Sequence, residues 1–429
     1  MLVEVEADRI LRVTPEQPWR PSALRLDGLT LPGFANAHSH AFHRALRART
    51  QVGTGSFWSW RDQMYSLASV LTPDRYYELA RAVYGEMVLA GITCVGEFHY
   101  LHHAPGGVPY ADANAMSAAL VAAAAEAGIR ITLLDTCYLH GGVGVAPNDV
   151  QRRFSDLSAE KWIRRVEQAR SLESPMSRVG AAIHSVRAVD PDSIDLIARW
   201  SHSAKLPLHA HVSEQPLENQ QCEDAFGCTP TELLARHGAL TEQFTAVHAT
   251  HLQPRDITLY GSNHCTICMC PTTERDLADG IGPARALRDA GAWLSLGSDS
   301  HAVIDMLEEA RALELDERLA SNVRGQHDTV SLLAASTHQG HASLGWDFAG
   351  RIEQGALADL VTVRLDTVRT AGAAADHVLN SAVFAATAAD VRHVVVSGEV
   401  VVADGWHVRL DVGAGLARSI GDVWKDVER

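Results

Sequence analysis

His38-Ser39-His40 closes an apolar run over residues 31–37, and it is the first place where side chains suited to chemistry are spaced to act together. Along a strand, residues i and i+2 face the same side, so both imidazoles can meet one ion. A second run, 206–212, leads into His209-Ala210-His211-Val212-Ser213-Glu214. His211 can serve the same ion, while His209 reads as a wall residue. Glu214 lies three residues beyond His211, which a straight strand would turn to the opposite face. The strand must therefore finish near Val212, and the loop must curl the carboxylate back. His248 ends the run 244–248, and Asp299 follows the run 293–298 in Gly297-Ser298-Asp299-Ser300-His301. Each has an ordinary alternative: solvated loop histidines at 38 and 40, a solvated carboxylate at 214, a helix cap at Asp299. As a set, imidazoles and a carboxylate at several strand ends suit Zn2+ or Fe2+, with an open position for water as hydrolysis requires.

Something must bring these distant positions together. Short apolar runs at 31–37, 92–97, 130–136, 179–184, 206–212, 244–248, 264–269 and 293–298 alternate with helical patterns at 75–90, 112–127, 159–171, 192–204, 230–236 and 283–290. Thr72-Pro73 and Asp190-Pro191 open helices, and Gly91 and Gly128 follow them. This alternation predicts an α/β fold with a parallel sheet, and eight strands predict closure as a (β/α)8 TIM-type barrel over residues 31–349. Side chains at the C-terminal strand ends of such a barrel line one mouth. An open doubly wound sheet would ordinarily carry a Gly-rich phosphate fingerprint, and no GxGxxG or GxxxxGK[ST] is present. Residues 1–30 and 350–429 carry short Val- and Leu-rich runs, among them 360–363 and 391–402, and predict a small β-sandwich domain built from both ends.

Composition narrows the partners. The chain has 429 residues, 46% hydrophobic, with 37 Lys and Arg against 52 Asp and Glu, a net charge of −15. Nucleic acid and anionic membranes are poor partners for such a surface, and no uncharged stretch of about 20 residues suggests a bilayer helix. The acidic N-terminal residues do not resemble a signal peptide, and seven thinly spread cysteines do not form a disulfide framework; a cytoplasmic protein is expected. Cys265, Cys268 and Cys270 offer three sulfurs in one strand-like run and read as core packing. His102-His103 and the Trp58, Trp60 pair read as a lid over a pocket, with simple loop anchoring by buried Trp as an equal alternative.

The phrases Pro32-Gly33-Phe34-Ala35-Asn36-Ala37-His38-Ser39-His40, His211 with Glu214, His248, Gly297-Ser298-Asp299 and the segment 350–361 resemble the amidohydrolase superfamily over nearly the whole chain. The run 179–184 ends in His184, with no Lys to bridge a second metal, so the pattern is similar to the mononuclear deaminase branch. Within it, His38-Ser39-His40-Ala41-Phe42, Phe57-Trp58-Ser59-Trp60-Arg61, Gly96-Glu97-Phe98-His99-Tyr100-Leu101-His102, His184-Ser185-Val186-Arg187-Ala188-Val189 and Cys270-Pro271-Thr272-Thr273-Glu274 resemble the formiminoglutamate deiminases of histidine degradation. The resemblance implies one Zn2+ per chain, with Fe2+ as the alternative, held by His38, His40, His211 and Asp299. It implies that His248 and Asp299 act on the attacking water and that Glu214 shuttles a proton to the leaving nitrogen. It places Arg61, Tyr100, His184 and Arg187 in the substrate site. His43 stands where that family commonly has Gln; an imidazole can also donate one hydrogen bond, but it is not an amide.

The implied reaction is hydrolysis of N-formimino-L-glutamate to N-formyl-L-glutamate and ammonia. Such a substrate carries two carboxylates, for which guanidinium groups are the bidentate match. Arg61 and Arg187 are the choices, each with a structural salt bridge as its alternative; Arg44, Arg47 and Arg49 read as outlying charges. A homodimer is the expected assembly. Two other readings compete: a deaminase of a purine, pyrimidine or adenosyl compound, and a barrel kept as a non-catalytic scaffold.

Overall fold

A computed structural model describes residues 1–52, 55 and 57–428. Among the described residues, fifteen strands are arranged in three sheets. Strands β1 (Leu2–Glu6) and β2 (Arg9–Thr14) form a hairpin. Strand β3 (Leu29–Pro32) joins β12 (Leu360–Val363), β13 (Val391–Val396), β14 (Glu399–Ala403) and β15 (Trp406–His407) in an antiparallel sheet ordered β15-β14-β13-β12-β3. The remaining eight form a parallel sheet in chain order: β4 (Phe34–Ser39), β5 (Ile92–His99), β6 (Arg130–Cys137), β7 (Ser177–Ile183), β8 (Leu208–Val212), β9 (Phe244–His248), β10 (Thr266–Met269) and β11 (Trp293–Leu296). This is the expected barrel, with the small antiparallel sheet assembled from both ends of the chain. β4 and β11 meet through a parallel bridge between Ser39 and Asp299.

Local signals explain most boundaries. Thr72 accepts a hydrogen bond from the Arg75 N–H ahead of helix Pro73–Leu89, Asp190 does the same for Ser193, and Thr229 with Glu232 forms a capping box. Gly128 ends helix Ala115–Ala127 in the left-handed conformation at φ +74°. The barrel strands are buried along nearly their whole length, as expected of a parallel sheet covered by helices. No helix among the described residues is long and apolar enough to cross a membrane.

The structure departs from the sequence reading in three places. The run 31–37 is two strands in different sheets: Pro32 still pairs with Leu360, while Phe34 pairs with Ile92. A continuous apolar stretch carries no mark of a change of partner. The run 391–402 is a hairpin turning at Ser397 and Gly398, both at positive φ. Near the C-terminus, Val412–Val427 is a helix rather than strand; it buries Val423 and Trp424, whose indole N–H donates to the Ala45 carbonyl. The small sheet is bound to the barrel by Arg130 of β6, fully buried against Asp359 at 2.8 Å and hydrogen-bonded to Ser397 and the Pro175 carbonyl. A buried guanidinium is tolerable only with its charge matched and its donors occupied, and here both conditions hold.

Many of the 22 histidines are interior residues. His102, His209 and His341 each spend one ring N–H on a backbone carbonyl, of Thr136, Ser343 and Thr337. Burial pushes His102 and His341 down to about 4 and His209 to about 3. These rings stay neutral in the fold, whereas an unfolded histidine takes a proton near pH 6.5, so the unfolded state binds more protons and acid favours unfolding. The stability they contribute is present above pH ~6.5 and is lost toward pH ~4, at up to ~1.4 kcal/mol per pH unit for each ring. Denaturant midpoints measured from pH 7 to 4.5 should fall accordingly, and His341→Gln should lessen the slope; an unchanged slope would contradict burial of a neutral His341.

Candidate metal and catalytic site

Five of the positions that turn the chain at the barrel mouth adopt positive φ without being glycine: Ser213 (+53°), His248 (+67°), Ala249 (+51°), Asp299 (+42°) and His301 (+58°). Left-handed backbone costs an L-residue roughly 1–2 kcal/mol, and here it turns side chains inward at the ends of β8, β9 and β11. Ser213 is the bend that returns Glu214 after β8 stops at Val212. At the seam between β11 and β4, Gly297 is required: a Cβ there would lie 2.7 Å from the His38 Cβ and 2.9 Å from its carbonyl oxygen.

The result is a buried cluster. His38, His211, His248 and Asp299 offer ligand atoms that all lie within 4.8 Å of one another. His38 Nε2 is 3.1 Å from His211 Nε2 and 3.3 Å from Asp299 Oδ1, and His40 Nε2 is also 3.3 Å from Asp299 Oδ1. Outer contacts fix the rings. His40 Nδ1–H donates to the Phe98 carbonyl and His211 Nδ1–H to the His184 carbonyl, each at 2.9 Å, so both Nε2 lone pairs face the centre. Bare imidazole nitrogens and a carboxylate oxygen crowded at contact distance repel unless a cation sits among them. These buried histidine and aspartate groups could hold a divalent metal ion, and the residues present fit one.

His248 lies among three acids. Its Nε2 lies 3.8 Å from Glu214 and 3.9 Å from Asp299, and its Nδ1 is 3.4 Å from Glu274, which also accepts from the Cys270 N–H. Burial alone would lower the His248 pKa, but the Glu214, Glu274 and Asp299 carboxylates overcome it and raise it well above the usual value. Burial likewise pushes Glu214 up to about 7, with His248 pulling it down and Asp299 pushing it up. Asp299 goes the other way: burial opposes, but His38, His248 and His40 hold it well below the ordinary carboxylate range. A carboxyl that titrates near neutrality beside one that stays ionised is the arrangement acid–base chemistry uses.

The cluster floors a cavity of about 280 Å³. His43, Arg61, Tyr100, His184 and Arg187 all line it. His43 Nε2 is 2.9 Å from the Tyr100 hydroxyl, and burial pushes its pKa down to about 3. His184, also pushed down to about 3 by burial, stays neutral beside the Arg187 charge. Arg61 stacks over Trp58 at 4.4 Å and Tyr65 at 5.5 Å, and its Nε is buried without a hydrogen-bond partner. Arg187 lies 3.6 Å from the fully buried Glu218, so the salt-bridge alternative is realised for it in part. Trp58 and Trp60 line the cavity. His102 and His103 do not form a lid; they are buried in an ionic network in which Arg165 pairs with Asp135 and Asp156, and His103 with Asp156. The acids Asp135 and Asp156 that hold them belong to no motif, which is why the pair of histidines reads as a lid in the sequence. Arg44 and Arg47 pair with Glu86, and Cys268 and Cys270 pack with Ala37 and Val247. Sequence reasoning passed over Glu274 and Glu97, although both lie inside phrases it singled out.

The amidohydrolase family model matches residues 29–401. The chain is 35% identical to formimidoylglutamate deiminase of Pseudomonas aeruginosa, with 94% of this chain and 91% of that protein aligned. It is 29% identical to 5-methylthioadenosine/S-adenosylhomocysteine deaminase of Natronomonas pharaonis, over 90% and 84% of the two chains. The crystal structure of an amidohydrolase from Brucella melitensis superimposes with a TM-score of 0.92 at 32% identity, covering 98% of this chain and 95% of that one. With its barrel, its small sheet and its buried histidine–aspartate cluster, the chain belongs to the amidohydrolase family, as a deaminase.

Proposed function

We propose that this deaminase hydrolyses N-formimino-L-glutamate to N-formyl-L-glutamate and ammonia, using one Zn2+ held by His38, His40, His211 and Asp299. The observation that carries the reading is a cavity floored by the ligand cluster and walled by two guanidinium groups, Arg61 and Arg187. When bound, the ion acidifies a water molecule toward neutral pH. The chain's own groups do the rest. His248 orients the water through Nε2, and Asp299 accepts its proton. Glu214 passes that proton to the formimino nitrogen as the water oxygen bonds to the amidine carbon. The hydroxyl on the resulting tetrahedral carbon then gives its remaining proton to the same nitrogen by way of the carboxylates. The C–N bond breaks, the hydroxyl oxygen becomes the formyl C=O, and ammonia leaves. Arg61 and Arg187 take the two substrate carboxylates, and the neutral rings of His43 and His184 offer hydrogen bonds to the amidine or the glutamyl chain.

A second reading has its own support. Phe57, Trp58, Trp60, Tyr65, Tyr100, Tyr138 and Phe154 give the cavity an aromatic wall on which a nucleobase could stack, and an adenosyl-compound deaminase is among the relatives. Ammonia release from formiminoglutamate, formiminoaspartate and a set of nucleosides separates the two; turnover of nucleosides alone would overturn the first.

Three further outcomes are expected. Asp299→Asn should lose tightly bound metal, and stripping the wild type with chelator should lower its unfolding temperature, since saturation at a hundredfold over Kd stabilises by about 2.7 kcal/mol. A melting curve indifferent to chelator would count against a structural ion. Glu214→Gln should cut kcat by roughly 10²–10⁴-fold while metal content, measured by elemental analysis, stays unchanged; loss of metal would make Glu214 a ligand instead. Arg187→Met should cost about 2–5 kcal/mol in kcat/KM for a dicarboxylate substrate. Unchanged turnover would remove Arg187 from the substrate site.

A further inference from the structure

Behind the ligand cluster, on the side away from the cavity, a line of buried polar groups crosses the seam where β4 meets the end of β11. Asn36 Nδ2 donates to Ser298 Oγ at 2.7 Å, and Asn36 Oδ1 accepts the Ser298 N–H at 2.9 Å. Ser298 Oγ lies 2.9 Å from His301 Nδ1, and His301 Nε2 lies 3.1 Å from Ser39 Oγ. Ser39 Oγ donates to Glu97 Oε2 at 2.8 Å; the Ala41 N–H and the Tyr76 hydroxyl donate to Glu97 Oε1 at 2.7 and 3.3 Å. Asn36, Ser39, Glu97, Ser298 and His301 are all completely buried.

The protons in this line can be counted. A carboxylate only accepts, so the single Ser39 hydroxyl proton goes to Glu97. Ser39 Oγ must then accept from His301 Nε2–H. A neutral imidazole protonated at Nε2 has a lone pair at Nδ1, which accepts the Ser298 hydroxyl proton, and Ser298 Oγ accepts from Asn36. Every bond points the same way, toward the one negative charge, so each polarises the next. The ends of the line matter more than its length. Ser39 lies between the ligands His38 and His40, and Ser298 immediately precedes Asp299.

We propose that His301 is a positioning residue which, through the chain Asn36–Ser298–His301–Ser39–Glu97, fixes the spacing between the two ligand-bearing strand ends and so sets the tightness of metal binding. This rests on the reading of His38, His40, His211 and Asp299 as metal ligands, and is indifferent to the substrate. Glu97 is what gives the chain its direction. In Glu97→Gln the amide oxygen could accept from only one of Ser39 and Ala41, with its NH2 group forced against the other donor.

The test uses the full-length chain, stripped of metal and titrated with Zn2+ against a chromophoric chelator at pH 8. Burial pushes the Glu97 acid up to about 7, so it is ionised there. Ser39→Ala, Glu97→Gln and His301→Ala should each weaken Zn2+ binding by roughly 10–100-fold. Each should lower the unfolding temperature of the Zn2+-loaded form more than that of the metal-free form. His301→Gln, whose amide can donate to Ser39 and accept from Ser298, should recover most of the lost affinity. Wild-type affinity in His301→Ala and Ser39→Ala overturns the proposal, as does an equal loss of stability with and without metal. Should His301→Ala fail to fold, Ser39→Ala, which removes a single oxygen, decides. A wild-type chain that binds no Zn2+ at all would instead overturn the metal reading on which the proposal rests.

Discussion

The barrel is closed at its mouth by two backbone hydrogen bonds, from the Asp299 N–H to the His38 carbonyl and from the His40 N–H to the Asp299 carbonyl. The residues that complete the sheet are thus the residues whose side chains converge. Sheet closure and assembly of the ligand cluster are one event, and neither can shift without the other. Gly297 makes the approach sterically feasible, and the Ser298–Asn36 pair locks it on both its donor and acceptor sides. A parallel sheet that stayed open at this seam would leave Asp299 on one edge strand and His38 on the other, with no shared centre.

That closeness creates an electrostatic problem which the surroundings answer. His38, His40, His211 and His248 bring basic nitrogens into one small buried volume, together with Asp299, Glu214 and Glu274. Burial depresses the first three imidazoles, and the acids raise the fourth. The outer carbonyls of Phe98 and His184 settle which nitrogen of His40 and His211 carries its proton, leaving the ligand face bare. Such a face could hold a cation.

How much of this the sequence revealed depends on whether the signal was local. The barrel was legible because strand–helix alternation repeats through the middle of the chain, and the residues of the cluster because they end strands whose apolar runs are plain. The bend at Ser213 could be argued from the spacing of His211 and Glu214 alone. The partner change at Gly33 was not legible, since Leu31 and Phe34 are both buried, though in different sheets. Nor was the helix Val412–Val427, whose burial depends on helix Pro73–Leu89 more than 300 residues away. Glu97, Glu274 and His301 lie inside phrases the sequence makes conspicuous. The partners that give them their roles, Ser39 for Glu97 and His301 and His248 for Glu274, lie far off in the chain, so no local spacing assigns them.

The cavity wall raises a different question, because in the proposed reading a chain with a net charge of −15 takes a dianionic substrate. Charge within a closed pocket is set by the few groups facing it, not by the whole surface. Arg61 rests on the faces of Trp58 and Tyr65, a support that holds the guanidinium in place without cancelling its charge. Arg187 is different, since Glu218 lies completely buried behind it at 3.6 Å and leaves its Nε without a hydrogen bond. A substrate carboxylate meeting Arg187 would compete with Glu218 for one guanidinium, whereas at Arg61 it would meet none of that competition. In the proposed reading the two arginines are therefore unequal among the described residues: Arg61, with no ion pair there, supplies attraction, and Arg187, anchored by Glu218, supplies direction.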